Sequence, residues 1–204
     1  MLTKFSWYDK IQNEDSLFVE NFKILIVIEK RGCRVCKVKH VAIYIINRLI
    51  DYAAKQEYDI ETMKEYISYS KVQHLVTICQ LHSIKTLDNC LFQDDMIKSD
   101  NGIMYRIITM MFNDEIDLFK SEYDDKPTEK LSFFVKNKIK IANRLNLYDY
   151  EKVLVDDIFK KYKDYSADDL NLKINENGIF AKLKEDAIIA QNYLFSIKEY
   201  IPEF

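Results

Sequence analysis

Apolar positions recur every three or four residues along most of the chain, and this spacing predicts a mainly α-helical fold. The pattern predicts a helix over residues 41–55 that is apolar on most sides and is therefore buried. It also predicts a long helix over 103–123 and a last helix over 184–200. Asp149 and Ser83 are the residue types that cap helices, and each is expected to begin one. A compact multi-helix fold follows from these patterns.

Two segments have the short apolar pattern of β-hairpins. Residues 22–40 contain a β-branched run that stops at Arg31-Gly32 and can return as a second strand. Residues 170–183 place LNLKI and IFAKL around an Asn-Gly turn, and two helices joined by an Asn-Gly cap are the alternative there. The sequence SDNG at 99–102 also predicts a turn. The expected fold class is therefore mainly α, with one or two short β-hairpins.

The low glycine and proline content strengthens the helical prediction. The 204 residues include three glycines and two prolines, whereas average usage would give roughly 14 and 10. Scarce glycine argues against Gly-rich phosphate loops, dinucleotide fingerprints and nucleophile elbows. No Gly-, Ser- or Pro-rich linker divides the chain, so we expect a single helical domain over residues 1–204, within which residues 1–98 can form a minor N-terminal subdomain.

The chain carries no sequence signal for a membrane. No apolar run reaches the roughly 18 residues of a membrane span, and the N-terminal residues lack the apolar core of a signal peptide. Four cysteines do not make a disulfide framework in a chain of this length, so reduced thiols are expected. These features predict a cytoplasmic protein that does not contact a membrane.

The formal charge of −3 is unevenly distributed. Residues 1–50 carry nine Lys or Arg against five Asp or Glu, so the remaining residues are acidic. A basic segment can attract nucleic acid or an acidic partner, and it can equally be a solvated face that the acidic remainder balances. The candidate nucleic-acid-binding residues are Lys30, Arg31, Arg34, Lys37 and Lys39.

One group of residues has the spacing of a zinc site. Cys33 and Cys36 form a CxxC motif. Cys79 and His82 are three residues apart and would share one face of a helix. A Cys3His zinc site would join the predicted hairpin to a helix and stabilise a nucleic-acid-binding protein. Cysteine is also a common buried residue, so ordinary packing roles are the alternative.

The same CxxC motif resembles the thioredoxin arrangement, since the strand-like ILIVIE precedes it and a helix follows. The resemblance implies a thiol redox protein in which the helix N-terminus and Lys37 lower the thiol pKa of Cys33 or Cys36. This redox function is a further alternative.

Residues 22–92 resemble the BTB/Skp1-type adaptor fold in two places. ILIVIEKRGCRVCKVKHVAIYIINRLI is similar to its opening hairpin and first helix, and ISYSKVQHLVTICQLHSIKTLDNC is similar to its later helix pair, with Leu75, Ile84, Lys85 and Leu87. The spacing between the two places is shorter than in that family. The resemblance implies an adaptor that binds other proteins.

Catalytic side chains are scarce in the sequence. There are three histidines, and the acid pairs are adjacent in the chain, so the two carboxylates of a pair would not face each other on a helix. The 14 tyrosines suit a surface that is apolar yet wet. The leading hypothesis is a non-enzymatic protein–protein interaction module that binds a partner protein or itself. It would act as an adaptor, or as a regulatory or effector protein of a virus or low-GC bacterium.

Overall fold

The fold is built around one helix, Tyr69–Leu87, in which residues 71–81 are all buried. The computed structural model describes residues 38–100, 102–115 and 145–204, and these residues belong to one compact unit. The central helix contacts most of the other elements described below. A helix in this position has no solvent face, and its polar side chains must therefore find partners inside the protein.

The described elements are mostly helices, with one small sheet. The helices are α1 (Val38–Lys55), α2 (Ile60–Tyr66), α3 (Tyr69–Leu87), α4 (Arg106–Phe112), α5 (Asp149–Tyr162), α6 (Ala167–Ile174) and α7 (Gln191–Ser196), followed by a 3₁₀ turn at Lys198–Tyr200. The strands are β1 (Met96–Ser99), β2 (Gly102–Met104) and β3 (Ile188–Ile189), and they form an antiparallel sheet in the order β2-β1-β3. This architecture confirms the mainly α fold class with a short hairpin.

Local capping residues set several helix starts. Asp59 Oδ1 accepts a hydrogen bond from the Thr62 amide at 2.7 Å before α2, and Ser68 Oγ accepts one from the Lys71 amide before α3. A helix does begin at Asp149, but Asp149 is its first residue and not its cap: the cap residue is Tyr148, whose amide donates to Glu151 Oε2 at 2.7 Å. Capping by short polar side chains therefore operates at several of the described helix starts.

The hairpin predicted over 170–183 is wrong, because the first part of this segment is helix α6. Ser166 and Asp169 form a capping box that starts the helix. Leu170 and Ile174 are four residues apart and fully buried, whereas Leu172 between them is 71% exposed. This spacing suits one face of a helix, and the apolar alternation that predicted a strand is too short to distinguish the two.

The described hairpin lies instead at the turn predicted over 99–102, where Ser99 pairs with Gly102. Residues 103–104 are therefore strand, and the helix predicted over 103–123 is limited, in the described residues, to α4. The segment 184–200 contains turns, β3 and two short helical pieces in place of one helix.

The helix pair implied by the adaptor resemblance is one continuous helix, α3, and Ser83 lies inside it. Ser83 Oγ donates to the Asn89 carbonyl at 2.8 Å, so this hydroxyl fixes the chain after α3 and does not start a new helix. Of the hairpin predicted over 22–40, residues 38–40 are the first turn of α1, and residues 22–37 lie outside the described residues. The single-domain organisation over 1–204 stays a prediction.

Helix α1 is buried along most of its length, as its apolar pattern predicts. It packs against α3 and α5. Arg48 Nε pairs with Asp156 Oδ1 at 2.8 Å, and the Tyr44 hydroxyl donates to Asp156 Oδ2 at 3.2 Å, so polar contacts also link α1 to α5. Within the described ranges, no helix combines the length and the apolar character needed to cross a membrane.

Candidate interaction surface

The register of the sheet places three apolar side chains in one line across its outer face. Ile97 on β1 lies opposite Met104 on β2 and opposite Ile188 on β3. Directly paired residues of neighbouring strands share a face. We call these three residues the outer row. Ile97 and Met104 are half-buried, and Ile188 is 71% exposed.

The opposite face of the sheet is part of the core. Met96, Ile103 and Ile189 alternate with the outer-row residues along their strands, and all three are buried. Alternation in a strand sends successive side chains to opposite faces. The sheet therefore covers the helices with one face and presents an apolar outer row on the other.

The hydrogen bonds of β3 show where its backbone points. The Lys98 amide donates to the Ala187 carbonyl at 2.9 Å, and this bond makes Ile97 and Ile188 a non-hydrogen-bonded pair of the antiparallel ladder. The N–H and C=O groups of Ile188 consequently point away from β1. In the part of the chain that the structure describes, no strand lies on that side of β3.

Three exposed carboxylates lie at the turn end of the same sheet. Asp100 is in the β1–β2 turn, and Glu185 and Asp186 come just before β3, which runs antiparallel to β1. We call these three residues the acidic end. The Asp100 carboxylate raises the pKa of Glu185 by charge repulsion and by a hydrogen bond, and Asp186 adds to the effect while Lys98 opposes it. These three carboxylates repel one another beside the outer row, and the exposed Lys184 next to Glu185 offsets part of their charge.

Other exposed apolar side chains are scattered over different elements. Leu172 on α6 is as exposed as Ile188, at 71%, and Tyr200 is 67% exposed. Single apolar residues of this kind are normal on protein surfaces. The outer row differs because strand pairing fixes three apolar side chains as direct neighbours.

A separate polar cluster joins α2, α3 and the end of α5. Lys71 Nζ donates to the Lys163 carbonyl at 2.7 Å and lies 3.8 Å from the centroid of the Tyr66 ring. The Tyr66 hydroxyl donates to the same carbonyl at 2.9 Å. Burial lowers the pKa of Lys71 to about 8. The carbonyl at a helix C-terminus and the ring face both favour a cation, so this cluster stabilises a buried ammonium group within the fold.

Two of the four predicted zinc ligands lie on α3. Cys79 is fully buried, and burial raises the pKa of its thiol. His82 is half-buried, burial lowers its pKa, and its Nδ1 has no hydrogen-bond partner among the described residues. Cys33 and Cys36 lie outside the described residues, and within those residues no group of three or more His, Cys, Asp or Glu side chains could hold a metal. The Cys3His zinc site and the redox role of Cys33 and Cys36 stay predictions.

Of the predicted nucleic-acid-binding residues, the structure describes only Lys39, which lies half-buried in the first turn of α1. Asp94 Oδ2 accepts a hydrogen bond from the Val38 amide at 3.0 Å and so caps this helix start from a distant part of the chain. The other four residues, Lys30, Arg31, Arg34 and Lys37, lie outside the described residues. Their role in binding nucleic acid stays a prediction.

Sequence reasoning missed the outer row because it assigned Met104 and Ile188 to helices. The available signal was the SDNG turn at 99–102, with short apolar runs, Met96-Ile97 and 103–105, before and after it. Extending that turn into a hairpin would have placed Ile97 and Met104 on one face. Ile188 lies 84 residues after Met104 in the chain. The local sequence pattern around the turn therefore carries no information about the pairing of Ile188 with Ile97.

Comparisons with known proteins found no matching family model, no matching curated protein and no matching solved structure.

Proposed function

We propose that this protein is a non-enzymatic protein–protein interaction module of the cytoplasm, and that the outer row is its contact surface. The observation that carries the proposal is the line of Ile97, Met104 and Ile188 across the sheet, with Ile188 71% exposed. Burying a side chain of this size against a partner is worth about 1.5–3 kcal/mol. More specifically, we propose that the protein acts as an adaptor, or as a regulatory or effector protein.

The position of the outer row at a sheet edge supports binding to another chain. Edge strands present unpaired backbone groups, and proteins usually protect them with charges, prolines or covering segments. Strand β3 is short and follows charged residues, yet it presents an exposed isoleucine at this edge. An edge with both an apolar side chain and available backbone groups is suited to recognition of a second polypeptide.

The occupant we propose is a different protein and not a second copy of this chain. Residues 51–204 carry 21 Lys or Arg against 28 Asp or Glu, and the acidic end adds local negative charge beside the outer row. Two copies would bring like charges together, which opposes association. A partner that supplies positive charge avoids this cost.

The test compares Ile188→Asp with the matched control Leu172→Asp. Both side chains are 71% exposed, so both variants should fold and melt like the wild type, and only the first changes the outer row. Each tagged protein is used for cross-linked capture from cells that express it naturally, with quantitative mass spectrometry. We expect proteins retained by wild type and by Leu172→Asp to be lost with Ile188→Asp.

Equal retention by all three proteins would contradict the proposal. Sedimentation velocity on the same variants identifies self-association. If a dimer of the wild type is lost only in Ile188→Asp, the outer row is an interface, but between copies of this chain.

A further inference from the structure

We propose that the outer edge of β3 binds an extended segment of a partner protein that carries a Lys or Arg two to three residues from an apolar side chain. This inference rests on the proposed function and specifies the chemistry of the partner. It follows from three features of the sheet: the direction of the Ile188 backbone groups, the exposure of its side chain and the carboxylates at the turn end.

The backbone of Ile188 is oriented to receive another strand. Its N–H and C=O groups point away from β1, because Ile97 and Ile188 form a non-hydrogen-bonded pair. An extended peptide placed beside β3 would pair with these two groups and become a fourth strand. Helical segments cannot do so, since their backbone groups are already paired along the helix.

The side chain of Ile188 determines which residue type lies next to it. A residue of the added strand directly opposite Ile188 would share the outer face and extend the outer row from three side chains to four. Val or Ile suits this place, because β-branched side chains pack well against neighbours on a pleated surface. The partner segment should therefore carry an apolar β-branched residue at this position.

The acidic end determines the charge of the partner segment. Asp100 lies three residues after Ile97, the partner of Ile188, which corresponds to about 10 Å along the extended β1. Glu185, in the turn before β3, lies close enough to interact with Asp100. A Lys or Arg two or three residues from the apolar position would reach the carboxylates of Glu185 and Asp100. The mutual repulsion of these two carboxylates, which raises the pKa of Glu185, would be relieved by such a cation.

The experiment uses three fluorescein-labelled peptides of seven residues and the full-length protein. The first alternates Thr and Val and has Lys at both ends, which covers parallel and antiparallel binding. The second has Glu in place of both Lys residues, and the third keeps Lys but has Pro in place of the central Val, which removes a backbone donor. Binding is measured by fluorescence anisotropy at about 50 mM and 500 mM salt, where screening differs strongly.

We expect the Lys peptide to bind about five- to tenfold more tightly than the Glu peptide at low salt, from two exposed ion pairs. The preference should be largely lost in Asp100→Asn/Glu185→Gln, which retains only Asp186 of the acidic end. It should persist in the control Glu65→Gln/Glu199→Gln, which removes two exposed carboxylates from α2 and the 3₁₀ turn. The Lys peptide should not bind the Ile188→Asp variant. The Pro peptide should bind the wild type more weakly than the Lys peptide does.

Absence of Lys-peptide binding overturns the inference, and so does a Lys preference that is as large in Asp100→Asn/Glu185→Gln as in the control Glu65→Gln/Glu199→Gln. The proposed function fails separately, when cross-linked capture does not depend on Ile188. If capture depends on Ile188 but not on Asp100 and Glu185, the interaction surface stands and the basic partner segment is wrong. A dimer that depends on Ile188 likewise overturns the inference, because the occupant is then a second copy.

Discussion

Gln73 binds both backbone groups of Tyr105: its Oε1 accepts from the Tyr105 amide at 2.9 Å, and its Nε2 donates to the Tyr105 carbonyl at 3.0 Å. The side-chain amide thus takes the place that a neighbouring strand would have beside the end of β2. Gln80 does the same before β1, where it bonds the amide and carbonyl of Phe92 at 3.3 and 3.1 Å. Two glutamines of α3 therefore fix the segments that flank the hairpin and, with them, the outer row.

Gln73→Leu should destabilise the protein by about 1–3 kcal/mol, because it leaves the buried amide of Tyr105 without an acceptor. The Tyr105 carbonyl still accepts the Ile108 amide at 3.0 Å, so its loss of Gln73 adds little. The matched control is Gln93→Leu, since Gln93 is exposed. Urea unfolding of the two variants and the wild type measures the difference. A Gln73→Leu protein as stable as the control would show that these bonds contribute nothing to the fold.

The central position of α3 could not be read from its sequence. Apolar stripes at Leu75, Val76 and Ile78 predict a helix, and the helix is there. Gln73 and Gln80, however, have the polar character of a solvent-facing side, although both are buried. Only the fold shows that backbone groups of residues 92 and 105 cover them, because those contacts join residues 12 and 32 positions apart.

Short elements were predicted less well than long ones. The helix over 41–55 has enough turns for its period to be unambiguous, and α1 confirms it. Segment 170–183 contains five-residue apolar patterns that fit a strand and a helix equally well. The capping box of Ser166 and Asp169 stabilises the start of the helix. The outer row depends on β3, a strand of two residues, whose partner is set by tertiary packing.

Gly102→Ala should destabilise the protein more than Gly178→Ala. Both glycines have a positive φ, +113° at Gly102 and +62° at Gly178. An alanine at either position is therefore strained, at a cost of about 1–3 kcal/mol in stability. A Cβ at Gly102 would also lie 2.6 Å from Asn171 Oδ1 and 3.3 Å from His74 Nε2, whereas one at Gly178 would meet only Ala181 Cβ at 3.9 Å. The difference between the two melting temperatures combines the greater backbone strain at φ +113° with the close approach of β2 to α3 and α6.

Adding Asn171→Ala to Gly102→Ala should recover part of the lost stability, because it removes the nearest atom. If the double variant is no more stable than Gly102→Ala, contact with Asn171 is not the cause of the effect.

Cys79 should resist alkylation by iodoacetamide in the folded protein, because its side chain is fully buried and its thiol pKa is raised. Peptide mass spectrometry after labelling, with and without denaturant, measures the protection. Repeating the labelling after chelation tests the predicted zinc site. A core thiol stays protected, whereas a zinc-bound thiolate loses its metal and becomes reactive. Rapid labelling of Cys79 in the native protein without chelator would contradict its burial.

Lys71 should make the free energy of unfolding rise with pH from about 8 to about 10.5. Burial lowers the pKa of this ammonium group to about 8 in the folded protein, from 10.5 when exposed. In this interval the unfolded chain binds the proton that the folded protein has released, so raising the pH favours folding. We expect a gain of about 1–2 kcal/mol, less than the full shift implies, because the group keeps some contact with solvent. Tyr66 has a raised pKa and acts in the opposite direction above pH 10, so the comparison is made between pH 7.5 and 9.5.

The measurement is urea unfolding of the wild type and of Lys71→Met at several pH values in this range. Lys71→Met keeps most of the side-chain volume and loses the titrating group, so the difference between the two proteins isolates Lys71 from other groups that titrate nearby. Lys64→Met is the matched control, because Lys64 is exposed and forms an ion pair with Glu61 on its own helix. The wild type and the control should gain stability with pH while Lys71→Met does not. A Lys71→Met protein with the same pH slope as the wild type would show that this ammonium group is not desolvated by the ring of Tyr66 and the end of α5.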